Sequence, residues 1–308
     1  MSSDITPETP GQTISDELCT RCGLCVTICP AWVFRRTNGA VEVDPQNSAL
    51  CVQCGHCMAI CPTGAVTVNG LDPGQFGELG GKPAEVEALE TLFRRRRSVR
   101  KFRNQPVPRE LLQRVIDAAA MAPMGFPPSQ VEITVLPTRD IVEKLVAPTM
   151  AQCEQLKKML SNPIGRFIFH RMAPAKAVVA VEQELLPLLD PWLKLYHEEG
   201  IDCVTWGAPA MLLFHVAKSA AAGETDCVIA STYAMLEAEA MGLGSIMLGM
   251  ANSTVERDAD LRAEFAIPAD NQIFSVLALG YPAHSFRRSI PRNFRSVHWV
   301  DEATEEDA

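Results

Sequence analysis

The chain has 308 residues, about two domains' worth, and its 47% hydrophobic and 21% charged residues exclude a largely disordered polymer. With 28 basic against 37 acidic residues its net charge is -9, which disfavours general affinity for nucleic acid or anionic membranes. No apolar run reaches the ~18 residues of a membrane span, and no basic-then-apolar segment opens the sequence, so no signal peptide is expected and the predicted compartment is the cytoplasm.

Residues 1–14 read as a flexible N-terminus. The chain holds 11 cysteines, eight of them between Cys19 and Cys61. In a reducing compartment such density indicates metal rather than disulfides. The first run is Cys19-Thr-Arg-Cys22-Gly-Leu-Cys25-Val-Thr-Ile-Cys29-Pro30, and the second is Cys51-Val-Gln-Cys54-Gly-His-Cys57-Met-Ala-Ile-Cys61-Pro62. Both read C-x2-C-x2-C-x3-C-P, offset by 32 residues. Three closely spaced thiolates can take three corners of one cubane, with Gly23 and Gly55 permitting tight turns. Structural zinc is usually built from paired C-x2-4-C units, which this pattern fits poorly. Over residues 15–70 the segment resembles a bacterial-type two-cluster ferredoxin, where the fourth cysteine of each run ligates the other cluster. On that rule Cys19, Cys22, Cys25 and Cys61 hold one 4Fe-4S cluster, and Cys51, Cys54, Cys57 and Cys29 hold the second. His56 is either a plain surface histidine or a hydrogen-bonding group that tunes a cluster.

Residues 71–83, rich in Gly and Pro, read as a linker. From Ala84 to Arg97, Val86, Leu89, Leu92 and Phe93 recur at helical spacing. The helix runs into Arg94-Arg95-Arg96-Arg97-Ser98-Val99-Arg100. Alone, this basic run is a solvated face, a nucleic-acid patch or a phosphate clamp of forked, charge-assisted hydrogen bonds. The acidic net charge and the lack of interleaved aromatics argue against nucleic acid. Leu111, Leu112, Val115, Ile116 and Ala119 form the apolar stripe of a second helix, entered through Pro106 and Pro108. A proline-stiffened loop from Met121 to Gln130 follows, then an alternating strand from Val131 to Leu136.

Arg-Arg-Ser-Val-Arg-x-Phe, a helix ending Ala-Ala-x-x-Ala-Pro, a small-residue loop and a strand together resemble the opening of the FMN-dependent nitroreductase family. Gly207-Ala-Pro-Ala-Met, Asp226-Cys-Val-Ile-Ala, Met241-Gly-Leu-Gly-Ser-Ile-Met-Leu-Gly249 and Leu277-Ala-Leu-Gly-Tyr-Pro282 agree in order with its later core segments. The resemblance covers about residues 90–295. It implies an α+β fold: a small two-cluster ferredoxin-like domain (15–70), then a nitroreductase-like domain (84–300) with a central, mainly antiparallel sheet flanked by helices, and an acidic tail (301–308).

The resemblance also implies FMN, with phosphate contacts at Arg96, Arg97, Ser98 and Arg100. It implies ribityl and ring contacts from Pro123, Met124 and Gly125, supplied by the other subunit of a homodimer. It places the backbone of Leu248 and Gly249 toward flavin N5, and one or two C-terminal arginines near the phosphate, Arg288 and Arg292 being chosen over Arg287 and Arg295. The loop is one residue longer than the family's Ser-x-x-Asn-x-Gln, leaving Ser129 or Gln130 as polar contacts to the ring. Thr232-Tyr233 stands where the family often has Gln-Asn. Met124 and Phe126 read either as packing under the loop or as flavin and substrate contacts.

Between residues 141 and 206, helical patterns (Ile141 to Lys144, Met150 to Leu160, Leu185 to Tyr196) flank an apolar strand expected at Ala177 to Val181. Trp192, Tyr196 and Trp206 are more often core than pocket lining, and Cys153, Cys203 and Cys227 read as small buried hydrophobes. No GxGxxG is present, so a Rossmann NAD(P) site is not expected, although family members take NAD(P)H without one.

A cubane passes single electrons and a flavin collects two, so the combination predicts an iron–sulfur flavoprotein oxidoreductase. Electrons would pass from the clusters to FMN and on to a small organic acceptor: a nitro compound, a quinone or an activated alkene. No side chain need act as nucleophile. A ferredoxin or other redox protein is the expected donor, with NAD(P)H a further candidate. The alternatives are a dehydrogenase exporting electrons through the clusters, an electron-transfer adaptor, and a redox sensor.

Overall fold

The paired cysteine runs are wrapped by two short antiparallel ribbons. A computed structural model of the chain describes residues 11–77, 79, 85–125 and 129–300. Residues 1–10 of the N-terminal segment, linker positions 78 and 80–84, Phe126, Pro127, Pro128 and the tail 301–308 lie outside the described residues. β1 (Gln12–Ile14) pairs with β4 (Val66–Val68), and β2 (Phe34–Thr37) with β3 (Ala40–Val43). The β2–β3 turn is Asn38-Gly39, both at positive φ (51° and 82°), the chemistry a two-residue hairpin demands. α1 (Leu24–Ile28) and α2 (His56–Ala59) each start after a left-handed glycine, Gly23 at 78° and Gly55 at 74°.

The sequence repeat is also a backbone repeat. Positive φ recurs at the 32-residue offset in Arg21 and Gln53, Gly23 and Gly55, Trp32 and Gly64, and Asn38 and Gly70. Val33, Phe34, Val41, Met58, Val66 and Val68 bury together around Cys25 and Cys57.

The second domain is built on a four-stranded antiparallel sheet in the order β5-β6-β8-β7. Its strands are β5 (Glu132–Leu136), β6 (Ala210–Ala217), β7 (Gly244–Met247) and β8 (Asn271–Gly280). β6 and β8 are central and read as nearly continuous apolar runs, because both faces are covered. Alternation sends Met211 and Leu213 to one core, and Ala210, Leu212 and Phe214 to the other. α4 (Arg109–Ala120) and α10 (Gly223–Ala240) cover the second face; α5 (Arg139–Glu143), α11 (Ala251–Arg257) and α12 (Ala259–Glu264) cover the first. α3 (Val86–Arg95) precedes them, shorter at both ends than its periodicity suggests.

The strand expected at Ala177 to Val181 is helical. α6 (Val146–Ser161), α7 (Pro163–Met172) and α8 (Ala175–Val179) lead into a π-helical turn (Ala180–Leu185) and then α9 (Leu186–Glu199). β-branched residues favour strands only where a sheet receives them. Here the segment packs against α7 rather than a strand, and Val179 is exposed. Trp192 and Tyr196 pack against Val146, Met150, Leu189 and Leu193, and Trp206 against the sheet core. Cys153, Cys203 and Cys227 are buried, as expected.

The basic segment is locked to the sheet edge: Ser98 bridges Ser245 of β7 in parallel, and the Val99 N–H donates to the Ser245 carbonyl at 3.0 Å. Gly244 is required there, because a Cβ would stand 2.5 Å from Val99 Cγ2. Gly244→Ala is expected to destabilise the domain by about 1–3 kcal/mol through overpacking. Denaturant unfolding checks this; an unchanged midpoint would show that Val99 can yield.

Candidate functional site

Each predicted cysteine quartet surrounds its own small cavity. Cys19, Cys22, Cys25 and Cys61 line one, with Ile14, Val41 and Val66 as apolar walls. Cys29, Cys51, Cys54 and Cys57 line the other, with Val33, Phe34 and Val68. The fourth cysteine of each run thus crosses to the opposite set. The Val33 N–H points to Cys29 Sγ at 3.4 Å and the Ala65 N–H to Cys61 Sγ at 3.2 Å, again 32 residues apart. Burial pushes the Cys57 thiol up to about 11, and its neighbours Cys51, Cys54 and Cys29 add to the rise. Burial likewise raises Cys25, beside Cys19 and Cys22. Among the described residues, no group of three or more His, Cys, Asp or Glu is arranged for a single metal ion. Four cysteines around each cavity fit two polynuclear clusters, whose sulfide corners and charge would hold these cysteines as thiolates. His56, exposed at the start of α2, lines the second cavity.

The crossing makes a specific prediction. Cys29→Ser is expected to damage the cluster of Cys51, Cys54 and Cys57 while sparing that of Cys19, Cys22 and Cys25. Its electron paramagnetic resonance spectrum after reduction should match that of Cys54→Ser rather than Cys22→Ser. The opposite match would mean that each run holds its own cluster.

The basic run forms the wall of a second kind of site. Arg94, Arg95 and Arg97 face Arg287 and Arg288 across a cavity of about 300 Å³. Arg97 is buried; its Nη1 donates to the Arg96 carbonyl at 2.7 Å, while its Nε is a buried donor without a hydrogen-bond partner among the described residues. Burial lowers the pKa of Arg96, and Arg292 and Arg97 lower it further against the pull of Glu239. Arg94 and Arg95 are partly neutralised by Glu90 (2.5 Å) and Glu239 (3.5 Å). A half-buried, cation-rich cavity with an unused donor is chemically matched to a dianion such as a phosphate monoester. Ser98 lies half-buried beside it on the β7 edge, whereas Arg100 is exposed.

The other expected positions are elsewhere. Met124 packs against the α4–α10 core, favouring the packing reading for this residue, while Pro123 and Gly125 are exposed. The Gly125 N–H donates to Asp226 Oδ1 at 2.9 Å, tying the loop to the first turn of α10. Ser129 Oγ accepts from the Val131 N–H at 3.2 Å, and Gln130 is exposed. Leu248 is buried, with its N–H on the Val276 carbonyl at 2.9 Å. Gly249 opens on a large apolar cavity that shares no lining residue with the arginine cavity.

Comparison with known proteins places the chain by family and fold. The model of the nitroreductase family matches residues 93–281. The chain belongs to the nitroreductase family. The model of a 4Fe-4S dicluster domain matches residues 18–66, so this nitroreductase-family enzyme carries a ferredoxin-type module ahead of its oxidoreductase domain. A Methanothermobacter thermautotrophicus protein is 26% identical over 205 residues, covering 67% of this chain and 82% of that protein. A Thermus thermophilus protein named NADH dehydrogenase is 27% identical over 197 residues, covering 63% of this chain and 86% of its own. In fold, the chain resembles nitroreductases with bound FMN from Bacteroides fragilis and Desulfitobacterium hafniense. The first has a TM-score of 0.50 at 21% identity, with 70% of this chain and 100% of that one covered. The second has 0.52 at 18% identity, with 71% and 100% covered. No helix among the described residues is long and apolar enough to cross a membrane.

Sequence reasoning missed Asp226 as the loop anchor, Glu239 as the counter-charge of the arginine wall, and the cavity beside Gly249. Asp226 shares the first turn of α10 with Glu224, so its position alone does not mark it; its burial does, and that is visible only in the fold.

Proposed function

We propose that this nitroreductase-family protein is an iron–sulfur flavoprotein oxidoreductase that binds FMN, not FAD, and carries electrons from two 4Fe-4S clusters to an organic acceptor. The observation that carries the flavin reading is the cation-rich cavity lined by Arg97, Arg287 and Arg288, with Arg97 buried and its Nε without a hydrogen-bond partner among the described residues. In this reading Arg96, Arg97, Ser98 and Arg100 hold the phosphate, with Arg288 and Arg292 closing over it. Pro123 and Gly125 touch the ribityl chain and ring of the flavin held by the other subunit, with Met124 packed beneath the loop, and the Leu248–Gly249 backbone faces the reacting edge. When bound, FMN supplies hydride chemistry at N5 and accepts electrons one at a time. The chain's own residues bind, orient and exclude water. A quinone would take two electrons and two protons to the hydroquinone; a nitro group would take the same to a nitroso group and water.

The assembly in this reading is a homodimer. The expected flavin contacts fall on separated surfaces of one chain, and α3 leaves Val86 (65% exposed), Leu89 and Phe93 uncovered, as Phe286, Phe294 and Trp299 are on the C-terminal segment. Such apolar surface is characteristic of an interface. The test is anaerobic purification with flavin, iron and mass measured together. The reading expects one FMN and about eight iron and eight sulfide per chain, in a particle of two chains; FAD, stoichiometric zinc or a flavin-bearing monomer would each overturn its corresponding part.

A further inference from the structure

The cavity beside Gly249 has about 610 Å³, the scale of a site for a drug-sized molecule. Its walls come from α6, α7, α8 and the π-helical turn, which contributes Val181 and Leu185. π-helical turns are rare and concentrate at functional sites. Met159, Met172, Met250 and Phe169 give the walls an adaptable, sulfur-rich surface that suits aromatic rings. Cys153 on the wall is neutral, since burial pushes its thiol up to about 11.

The polar groups of this cavity are few and uneven. Gln152 Oε1 accepts from Thr254 Oγ1 at 3.3 Å, leaving its amide N–H groups without a partner among the described residues, as is the Ser253 hydroxyl. The single charged lining residue is Arg257, the last residue of α11. Its guanidinium makes no ion pair or hydrogen bond to any described residue. The nearest acids along the chain are committed: Glu256 accepts the Ile273 N–H at 2.8 Å, and Asp258 caps α12 through the Asp260 and Leu261 N–H groups. A second hollow of about 590 Å³ shares Gln152, Leu156, Met159 and Arg257 with the first, so Arg257 stands where the two join. The seven residues of α11 separate it from the Gly249 turn by roughly 10 Å.

We propose that this cavity selects an aromatic monocarboxylate, its carboxylate on Arg257, its ring among the methionines and its reducible group at the Gly249 turn. Which end reacts rests on the flavin reading above; the acid preference does not. Arginine matches a carboxylate bidentately, and such a charge-assisted pair discriminates against a neutral isostere.

The test is equilibrium binding to the purified holoprotein under air-free, oxidised conditions, by calorimetry and by perturbation of the flavin spectrum. The probes are 4'-nitrobiphenyl-4-carboxylate and its carboxamide. Wild type is expected to bind the acid about tenfold or more tightly than the amide. Arg257→Gln should abolish that preference with the amide affinity unchanged, and Arg257→Lys should keep part of it. Equal binding of acid and amide by wild type, or an undiminished preference in Arg257→Gln, overturns the proposal. A protein that takes up no added FMN yet still shows the Arg257-dependent preference would overturn the flavin reading alone, because calorimetry reads the acid without it. Arg257 is exposed, and circular dichroism of both variants separates lost binding from lost folding.

Discussion

Arg97→Ala is expected to weaken FMN binding by roughly 10- to 150-fold, corresponding to about 1.5–3 kcal/mol for a hydrogen bond to a charged group. The reason is specific to this arginine. It is buried, its Nη1 is spent on the Arg96 carbonyl, and its Nε has no partner among the described residues. A phosphate would satisfy that donor and relieve the crowding of Arg96, Arg97 and Arg292. Arg97→Lys should recover only part of the affinity, since an ammonium cannot reproduce the planar fork. Arg100→Ala should cost less, because Arg100 is exposed and its charge is screened. Flavin fluorescence on release gives the dissociation constants, and iron content serves as the control. Loss of iron in parallel would indicate general unfolding. Wild-type flavin affinity in Arg97→Ala would remove the phosphate clamp from the proposed function.

The cysteine quartets were legible because their ligand spacing is local. Three thiols within seven residues have little freedom, and the crossing of Cys29 and Cys61 follows from where the fourth position must point. The basic run was legible as a group but not residue by residue. Arg97 and Arg100 look alike in sequence; the parallel bridge from Ser98 to Ser245 decides which turns inward, and that bridge joins residues 147 positions apart (245 − 98). The strand expected from Ala177 to Val181 is helical because its valines promise a strand only in isolation, while the choice is made by α7, against which the segment packs. The acid-selective cavity carries no motif. Its lining runs from Gln152 to Arg257 across several helices, each contributing buried residues such as Cys153 and Thr254 or exposed ones such as Met172 and Arg257 that carry no signal in isolation. Asp226 was not legible as the loop anchor, because its partner, the Gly125 N–H, lies 101 positions away in sequence and its burial appears only in the fold.

Cys54→Ser is expected to abolish turnover driven by a strong one-electron donor such as reduced ferredoxin, with FMN still bound and chemically reducible. In the proposed function the 4Fe-4S module of residues 18–66 is the route by which single electrons reach the flavin, since a nitroreductase-type domain that draws directly on a nicotinamide has no need of one. Cys54 lines the cavity of the second quartet, and a serine oxygen there is a poorer ligand for an iron–sulfur corner than a thiolate. In wild type, reduced ferredoxin should therefore outpace NADPH on one common acceptor. The rival expectation is that a nicotinamide donates directly to the flavin. Steady-state turnover with each donor, in wild type and in Cys54→Ser, decides between them. If NADH or NADPH is the better donor and the variant loses nothing with it, the clusters are an outlet for electrons or a structural element. If reduced ferredoxin is the better donor and its rate vanishes in the variant while the slower nicotinamide rate survives, the two donors enter at different points, and the clusters are the one-electron entrance.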